Sequence, residues 1–356
     1  MYNLFSTILL PFFTALLATV FVTPFCLKLI RKFGIIDDPK KRKHPAIVHK
    51  KPVPRAGGIP LFLGVLIASA IFLPVEKVVY AVFLAAFLCL IVGVLDDKFD
   101  ISPYIRFVIN IIAAIIVVIG GANIPFITNP FGGILFLNSL QIPFLNGYAI
   151  GFLSYLITIL WIVWVINMLN WSKGVDGQMP GIVAVSAIII GLLSLRFPAI
   201  DHYSLISAKL SFIIAGASLG FLIFNFYPAK IFPGYGATSI YLLLAVVSIL
   251  SSAKLATAIL VMAVPMIDGA FTITRRIASG KSPFWHDKRH LHHLLLKKGL
   301  SQRKIALFYW TISAIFGTLA LVLSSKGKLF AIIMLLIIIG GTILFLQLNI
   351  EHPEDE

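Results

Sequence analysis

The sequence predicts an all-α, polytopic integral membrane protein of about eleven transmembrane helices, N-terminus outside and C-terminus cytoplasmic. Three observations predict it. The 356 residues are 59% hydrophobic and only 12% charged, against about 25% charged residues in soluble domains. Apolar runs near the ~20-residue length that spans a bilayer recur along the chain. The basic residues segregate as well. With the loop after the first run placed inside and the runs alternating, 23 Lys and Arg fall inside and 6 outside. Such an excess marks the cytoplasmic side.

The first run, residues 4–26, passes directly into a basic loop with no small-residue cleavage site, so it is expected to be a retained span. Further runs follow at 57–75, 78–95, 104–123, 148–168, 181–196, 205–226, 239–252, 254–274, 305–323 and 328–348. Pro and Gly inside them do not exclude membrane helices. The run at 239–252 is short and that at 57–75 opens on Gly57–Gly58, so each is a candidate for a tilted or broken helix. The outer stretch 124–147 alternates apolar and turn residues around Asn-Pro and Gly-Gly, the pattern of a small hairpin. Residues 1–350 read as one transmembrane domain and 351–356 as a disordered tail. Cys26 and Cys89 both lie in apolar runs and suggest neither a disulfide framework nor a metal site. The net charge of +15 fits contact with anionic membrane lipid, not nucleic acid.

Five loops, 27–56, 96–103, 167–180, 225–238 and 275–304, then face the cytoplasm and hold most of the unusual polar residues. Asp96 and Asp97 end an apolar run, with Asp100 three residues on. Adjacent carboxylates repel unless a cation is near. Mg²⁺ or a basic loop is the expected cation, Mg²⁺ favouring one or two carboxylates with substrate phosphates; an ordinary charged helix end is the plain alternative. The first loop carries ten Lys and Arg. Its segment His49–Arg55, with Lys50 and Lys51, leads into Gly57–Gly58 and reads as either an anion clamp or a lipid-facing surface.

The third loop presents Asn167 and Asn170 at i, i+3 and then Gly174-Val-Asp176-Gly177, a tight turn that brings N–H groups to an anion or merely closes a loop. In the fourth, Phe232-Pro-Gly-Tyr235-Gly is an aromatic and glycine turn able to stack on a flat ring. The fifth clusters His290, His292 and His293 among Lys and Arg. If it is helical, His290 and His293 share a face. No HExxH or cysteine pattern supports zinc. The mixture suits a phosphate-rich anion or, equally, lipid headgroups. Asp268 lies inside the run 254–274 and is a functional candidate by its position in hydrocarbon, with a helix-packing hydrogen bond as the alternative.

The order PVPRAGG, VLDDKFDISP, NMLNWSKGVDG, NFYPAKIFPGYG, SPFWHDKRHLHH resembles the polyprenyl-phosphate N-acetylhexosamine-1-phosphate transferases, over about residues 27–305. The His motif and PVPR segment are closer to the GlcNAc-1-phosphate branch; the phospho-MurNAc-pentapeptide translocase is a more distant relative. The resemblance implies an enzyme of the cell membrane, active on its cytoplasmic face. A polyprenyl phosphate would attack the β-phosphate of a UDP-sugar, UMP would leave, and a lipid-linked diphospho-sugar would form as the first membrane step of cell-envelope glycan synthesis. It also implies roles. Asp96, Asp97 and Asp176 would be catalytic. Mg²⁺ (or Mn²⁺) would be held by Asp97 and Asp176. Asn167 and Asn170 would line the phosphate site, and Phe232 would lie near uracil. His290, His292 and His293, with Lys50, Lys51 and Arg55, would hold the nucleotide-sugar. A second copy, met through membrane helices, is a further candidate partner.

Two positions depart from the family pattern. The third loop of the family reads Asn-x-x-Asn-x-x-Asp-Gly-x-Asp-Gly, and Lys173 stands at its first Asp. The fourth loop carries Gly-Asp, and Tyr235 stands at that Asp. Together these changes shift the local formal charge by +3, which weakens divalent-metal binding. Three readings follow: the remaining acids hold a metal, the Lys173 ammonium replaces its charge, or the protein binds its ligands without turnover. A transporter is a weaker alternative, because transporters gather polar groups near the bilayer midplane and here they gather at the cytoplasmic ends.

Overall fold

A computed structural model describes residues 4–40, 49, 51–139, 141–143, 149–196, 202–250, 255–285 and 287–349. Lys50 and the 351–356 tail therefore lie outside the described residues. The architecture is helical: α1 (Leu10–Lys32), α2 (Gly58–Phe72), α3 (Lys77–Phe99), α4 (Pro103–Ile119), α5 (Phe152–Trp171), α6 (Gln178–Ser194), α7 (His202–Asn225), α8 (Thr238–Leu250), α9 (Leu255–Val261), α10 (Ala263–Ala278), α11 (Leu291–Lys297), α12 (Gln302–Val322) and α13 (Ser325–Asn349). Among the described residues, six helical stretches are long and apolar enough to cross a membrane, or seven if the bent α9–α10 pair is one span, and four shorter apolar helices accompany them. Large apolar side chains such as Phe21, Phe25, Leu84 and Phe345 point outward from α1, α3 and α13. In water such a surface would be a liability; in lipid it is the expected exterior. The chain is a multi-pass membrane protein.

The run at 254–274 is not one straight helix. α9 and α10 are bent by 86° at Met262. Pro265 supplies a physical cause, since it lacks the N–H that would bond back to the Val261 carbonyl. Asp268 thus sits on α10, the limb that leads to the fifth loop.

Small polar residues join the helices where hydrocarbon would leave them unsatisfied. Ser194 of α6 meets Ser207 of α7 at 3.0 Å, and the Ser207 hydroxyl donates to the Val247 carbonyl of α8 at 2.8 Å. Trp161 Nε1 of α5 donates to Ser248 Oγ at 2.9 Å. On the face opposite the polar loops, β3 (Phe126–Thr128) and β4 (Ile134–Phe136) pair antiparallel, as do β5 (Gln141–Pro143) and β6 (Ala149–Gly151). The hairpin expected in 124–147 is therefore present. The first loop also holds a pairing the sequence did not signal, β1 (Ile36–Asp37) with β2 (Val53–Pro54).

The turn between α3 and α4 sets up the site. Asp100 closes α3 with a left-handed φ of 53°, a conformation Asp tolerates better than most residues. Ser102 leads into Pro103 at the start of α4, where the missing N–H costs nothing. The chain reverses within three residues, and the first turn of α4 comes back over the last turn of α3.

Candidate active site

Asp96 and Asp97 are buried in the last turn and a half of α3. Each meets a different cation. Arg106, brought over by the α3–α4 turn, places Nη1 3.1 Å from Asp96 Oδ2. Arg55, one residue past β2, places Nε 3.2 Å from Asp97 Oδ1. The same oxygen accepts the Tyr235 N–H at 2.9 Å. Asp96 Oδ1 and Asp97 Oδ2 are buried with no hydrogen-bond partner among the described residues.

Backbone bonds hold the first and fourth loops together here. Phe232 N donates to the Pro54 carbonyl at 2.8 Å, Gly57 N to Phe232 O at 2.9 Å and Gly58 N to Pro233 O at 2.8 Å. Gly234 has a φ of 68°, and a Cβ there would fall 1.9 Å from Asp97 Oδ2. Only glycine fits this position.

Lys173 enters from the third loop. Its ammonium donates to the Gly234 carbonyl at 2.8 Å and lies 5.6 Å from the centre of the Tyr235 ring. Arg106 lies over the same ring at 4.8 Å. The Tyr235 hydroxyl accepts from Asn110 Nδ2 at 3.1 Å. Burial pushes the Lys173 ammonium down to about 7, and the Asp97 charge pulls the other way. The two residues that depart from the family pattern are therefore in contact, with Tyr235 buried between two cations.

Asn167 and Asn170 lie on the last turns of α5, which runs to Trp171, and not in a loop. Both line the cavity described below. The Asn170 Oδ1 has no hydrogen-bond partner among the described residues, whereas Asn167 Nδ2 is committed to the Val163 carbonyl at 2.8 Å. Asp176 is engaged in holding loops: Oδ2 accepts the Ala229 N–H at 2.9 Å, and its own N–H donates to Gln302 Oε1 at 3.0 Å. Burial raises its carboxyl.

The fifth loop closes the far wall. Asp287 accepts from Arg275 Nη2 at 2.8 Å and Arg276 Nε at 2.9 Å. Burial pushes the Asp287 carboxyl up, but the two guanidiniums outweigh it and hold it at about 2. Asp268 fixes the start of α11, one oxygen 2.9 Å from His290 Nδ1 and the other accepting the Leu291 N–H at 2.9 Å. His290 itself is extended and precedes α11, so it does not share a helical face with His293. Its ring stacks on His292 at 5.7 Å, and His292 meets His293 at 4.2 Å. Burial pushes both His292 and His293 down, His293 to about 4. Phe284 packs edge-on to Tyr104 and Phe107 of α4, anchoring this loop to the acidic corner.

These walls enclose one cavity of about 270 Å³. Of the residues expected from sequence, Arg55, Asp96, Asn167, Asn170, Lys173, Asp176, Phe232, Tyr235, His290, His292 and His293 line it; Asp97 lies directly behind Gly234 and Tyr235. Lys51 is exposed and is not among the lining residues. Sequence reasoning placed His49 in a candidate anion clamp, and it lines the cavity; Asp37, Arg106, Arg276, Trp171 and Trp285 were missed. Arg106 was readable in principle, at the first turn of the helix after Asp96. Asp37 depends on the β1–β2 pairing, which two-residue strands do not announce.

The acids expected to hold Mg²⁺ do not fit it well. Among the described residues, no three His, Cys, Asp or Glu side chains form a metal-holding group. Asp97 Oδ1 and Asp176 Oδ2 are each committed to backbone N–H donors, and Asp97 Oδ2 is buried against Gly234. The Asp96–Asp97 pair already faces Arg55, Arg106 and Lys173, with Arg55 also 3.8 Å from Asp37, so the pair's charge is compensated before a divalent ion arrives. The site can instead bind a diphosphate, with cations on one wall and aromatic and imidazole rings on the others.

Known proteins resemble this chain over most of its length. The model of glycosyl transferase family 4 matches residues 79–252. A probable undecaprenyl-phosphate N-acetylglucosaminyl 1-phosphate transferase of Bacillus subtilis is 32% identical over 354 residues, covering 97% of this chain and 91% of the relative. A decaprenyl-phosphate N-acetylglucosaminephosphotransferase of Mycolicibacterium smegmatis is 29% identical, covering 96% and 88%. An undecaprenyl-phosphate alpha-N-acetylglucosaminyl 1-phosphate transferase of Escherichia coli K12 is 31% identical, covering 84% and 78%. With the matched core and a near full-length relative at 32% identity, the chain belongs to glycosyl transferase family 4.

Proposed function

We propose that this protein transfers N-acetylglucosamine-1-phosphate from a UDP-sugar to a polyprenyl phosphate. An oxygen of the lipid phosphate forms a bond to the β-phosphorus, the bond from that phosphorus to the bridging oxygen breaks, and the bridging oxygen leaves with UMP. The observation that carries the reading is the convergence of Arg55, Arg106 and Lys173 beside two carboxylates with spare, buried oxygens. Phosphoryl transfer is mostly positioning and charge neutralisation, and this cluster offers both. A protonated lipid phosphate donates its proton to Asp96, the member of the pair that lines the cavity, which orients the attacking oxygen; Asp97 holds Arg55 and the Tyr235 N–H in place. Asn167 and Asn170 contact phosphate or sugar. Phe232, with His49 edge-on at 4.9 Å, forms the uracil wall. The His290, His292 and His293 group contacts the nucleotide-sugar, and Asp176 acts by fixing the loops.

In this reading the chain crosses the membrane eleven times, the bent α9–α10 pair counting as one crossing, with the N-terminus outside and the cavity opening to the cytoplasm. The basic first and fifth loops also meet anionic lipid headgroups. The test is mass spectrometry of the lipid fraction after purified protein is incubated with UDP-GlcNAc and undecaprenyl phosphate. Undecaprenyl-diphospho-N-acetylglucosamine is the expected product. Absence of any lipid-linked product with UDP-GlcNAc and with other UDP-hexosamines would leave a ligand-binding relative without turnover.

A further inference from the structure

We propose that this protein neutralises the diphosphate of its sugar nucleotide with three tethered cations, Arg55, Arg106 and Lys173, and that ligand binding and transfer need no divalent metal. The proposal rests on the transferase reading for its ligand, but its argument is the geometry of the cluster.

A carboxylate pair recruits a divalent ion because its own charge is uncompensated. Here the pair is already compensated. Arg55 and Arg106 are bonded to Asp97 and Asp96 at 3.2 and 3.1 Å, and Lys173 is buried against the same corner. Arg55 also lies 3.8 Å from Asp37, so three cations stand against three carboxylates and no carboxylate charge is left over to draw in a divalent ion. The guanidinium and ammonium donors that face the cavity suit the oxygens of a diphosphate.

The Lys173 ammonium is held in place, not left mobile. The Gly234 carbonyl takes one of its protons at 2.8 Å. The Tyr235 ring lies on one side of it, with Arg106 over the same ring. Tyr235 is itself fixed at both ends, by its N–H on Asp97 and its hydroxyl under Asn110. The remaining ammonium protons are available to a phosphate oxygen. Fixed donors aimed at a developing charge need no rearrangement as the reaction proceeds. A lysine performs as a point charge what a metal performs by coordination, while the two arginines keep the neighbouring carboxylates from drawing it away.

The test is equilibrium binding of UDP-GlcNAc to the full-length protein in detergent, in EDTA and in millimolar Mg²⁺, beside elemental analysis of the purified protein. The expected result is a dissociation constant that agrees within about twofold between the two conditions, with no stoichiometric metal. Tightening by about tenfold or more in Mg²⁺, equivalent to one further charge-assisted bond, or one tightly held metal per chain, would overturn the proposal. Lys173→Met adds a second arm: affinity should fall about tenfold or more in EDTA, and Mg²⁺ should not restore it. Unchanged affinity in that variant would also overturn it, and the wild-type arm decides the matter if the variant does not fold. Failure of the transferase reading looks different. Metal-independent binding without lipid-linked product would retain the cationic site and discard turnover, whereas product formed only with Mg²⁺ would do the reverse.

Discussion

Arg106 shows what a single side chain contributes to this site. Its guanidinium is bonded to Asp96, which is 2% exposed. Removing one partner of a buried ion pair leaves the other charge uncompensated, at a cost of about 3 kcal/mol or more. Arg106→Ala should therefore lower the unfolding temperature in detergent, and adding Asp96→Asn should recover part of the loss. Equal destabilisation in the single and double variants would contradict the pairing. Lys173 and Tyr235 allow a complementary test. The double variant Lys173→Asp, Tyr235→Asp exchanges an ammonium and a neutral ring for two carboxylates beside Asp96 and Asp97. Nucleotide binding in that variant should become stimulated by Mg²⁺, and an unaltered metal response would count against the idea that Lys173 occupies the role of a cation ligand.

At the scale of elements, the site depends on loops from five parts of the chain being pressed together. Gly174 is the contact between the third and fifth: a Cβ there would lie 1.9 Å from His292 Nε2. Gly174→Ala must displace the buried His292 ring or the loop, and should abolish transfer while leaving the membrane helices intact by circular dichroism. Full activity in that variant would rule out this packing. The histidines also make α11 sensitive to acid. The folded state holds His293 at about 4 from an ordinary 6.5, so the unfolded chain binds a proton first as pH falls. Stability is fully present above about 6.5 and declines between 6.5 and 4, by about 3 kcal/mol from this group. His293→Gln should flatten the dependence of unfolding temperature on pH across that window. A slope as steep as the wild type's would show that another group is responsible.

For the whole molecule, hydrophobicity along the chain was enough to locate the helices, because about 20 apolar residues in a row have few other uses. Asp96 and the histidines were legible because they are conspicuous against apolar surroundings, whereas Lys173 and Tyr235 stood out only against the family pattern. What was not legible was pairing. Arg55 meets Asp97 across a helix, Lys173 meets Gly234 from another loop, and Asp37 joins through a two-residue strand, none of which leaves a local pattern. The bend at Met262 depended on Pro265 lying within an otherwise continuous run. Orientation is open to a direct test. Cys26 and Cys89 are both buried, so an introduced cysteine reports its own side of the membrane. A cysteine at Phe131, which is exposed in the β3–β4 hairpin, should react with an impermeant maleimide on intact cells. One at Lys281 should react only after permeabilisation, and the opposite pattern would invert the proposed topology.

The most direct test of the central claim is UMP release by the purified wild-type protein from UDP-GlcNAc and undecaprenyl phosphate in EDTA. The fixed-cation site predicts UMP release in step with lipid-linked product, at a rate that added Mg²⁺ does not raise appreciably. Release that appears only when Mg²⁺ is returned would contradict the tethered-cation account, and no release under either condition would contradict the transferase itself.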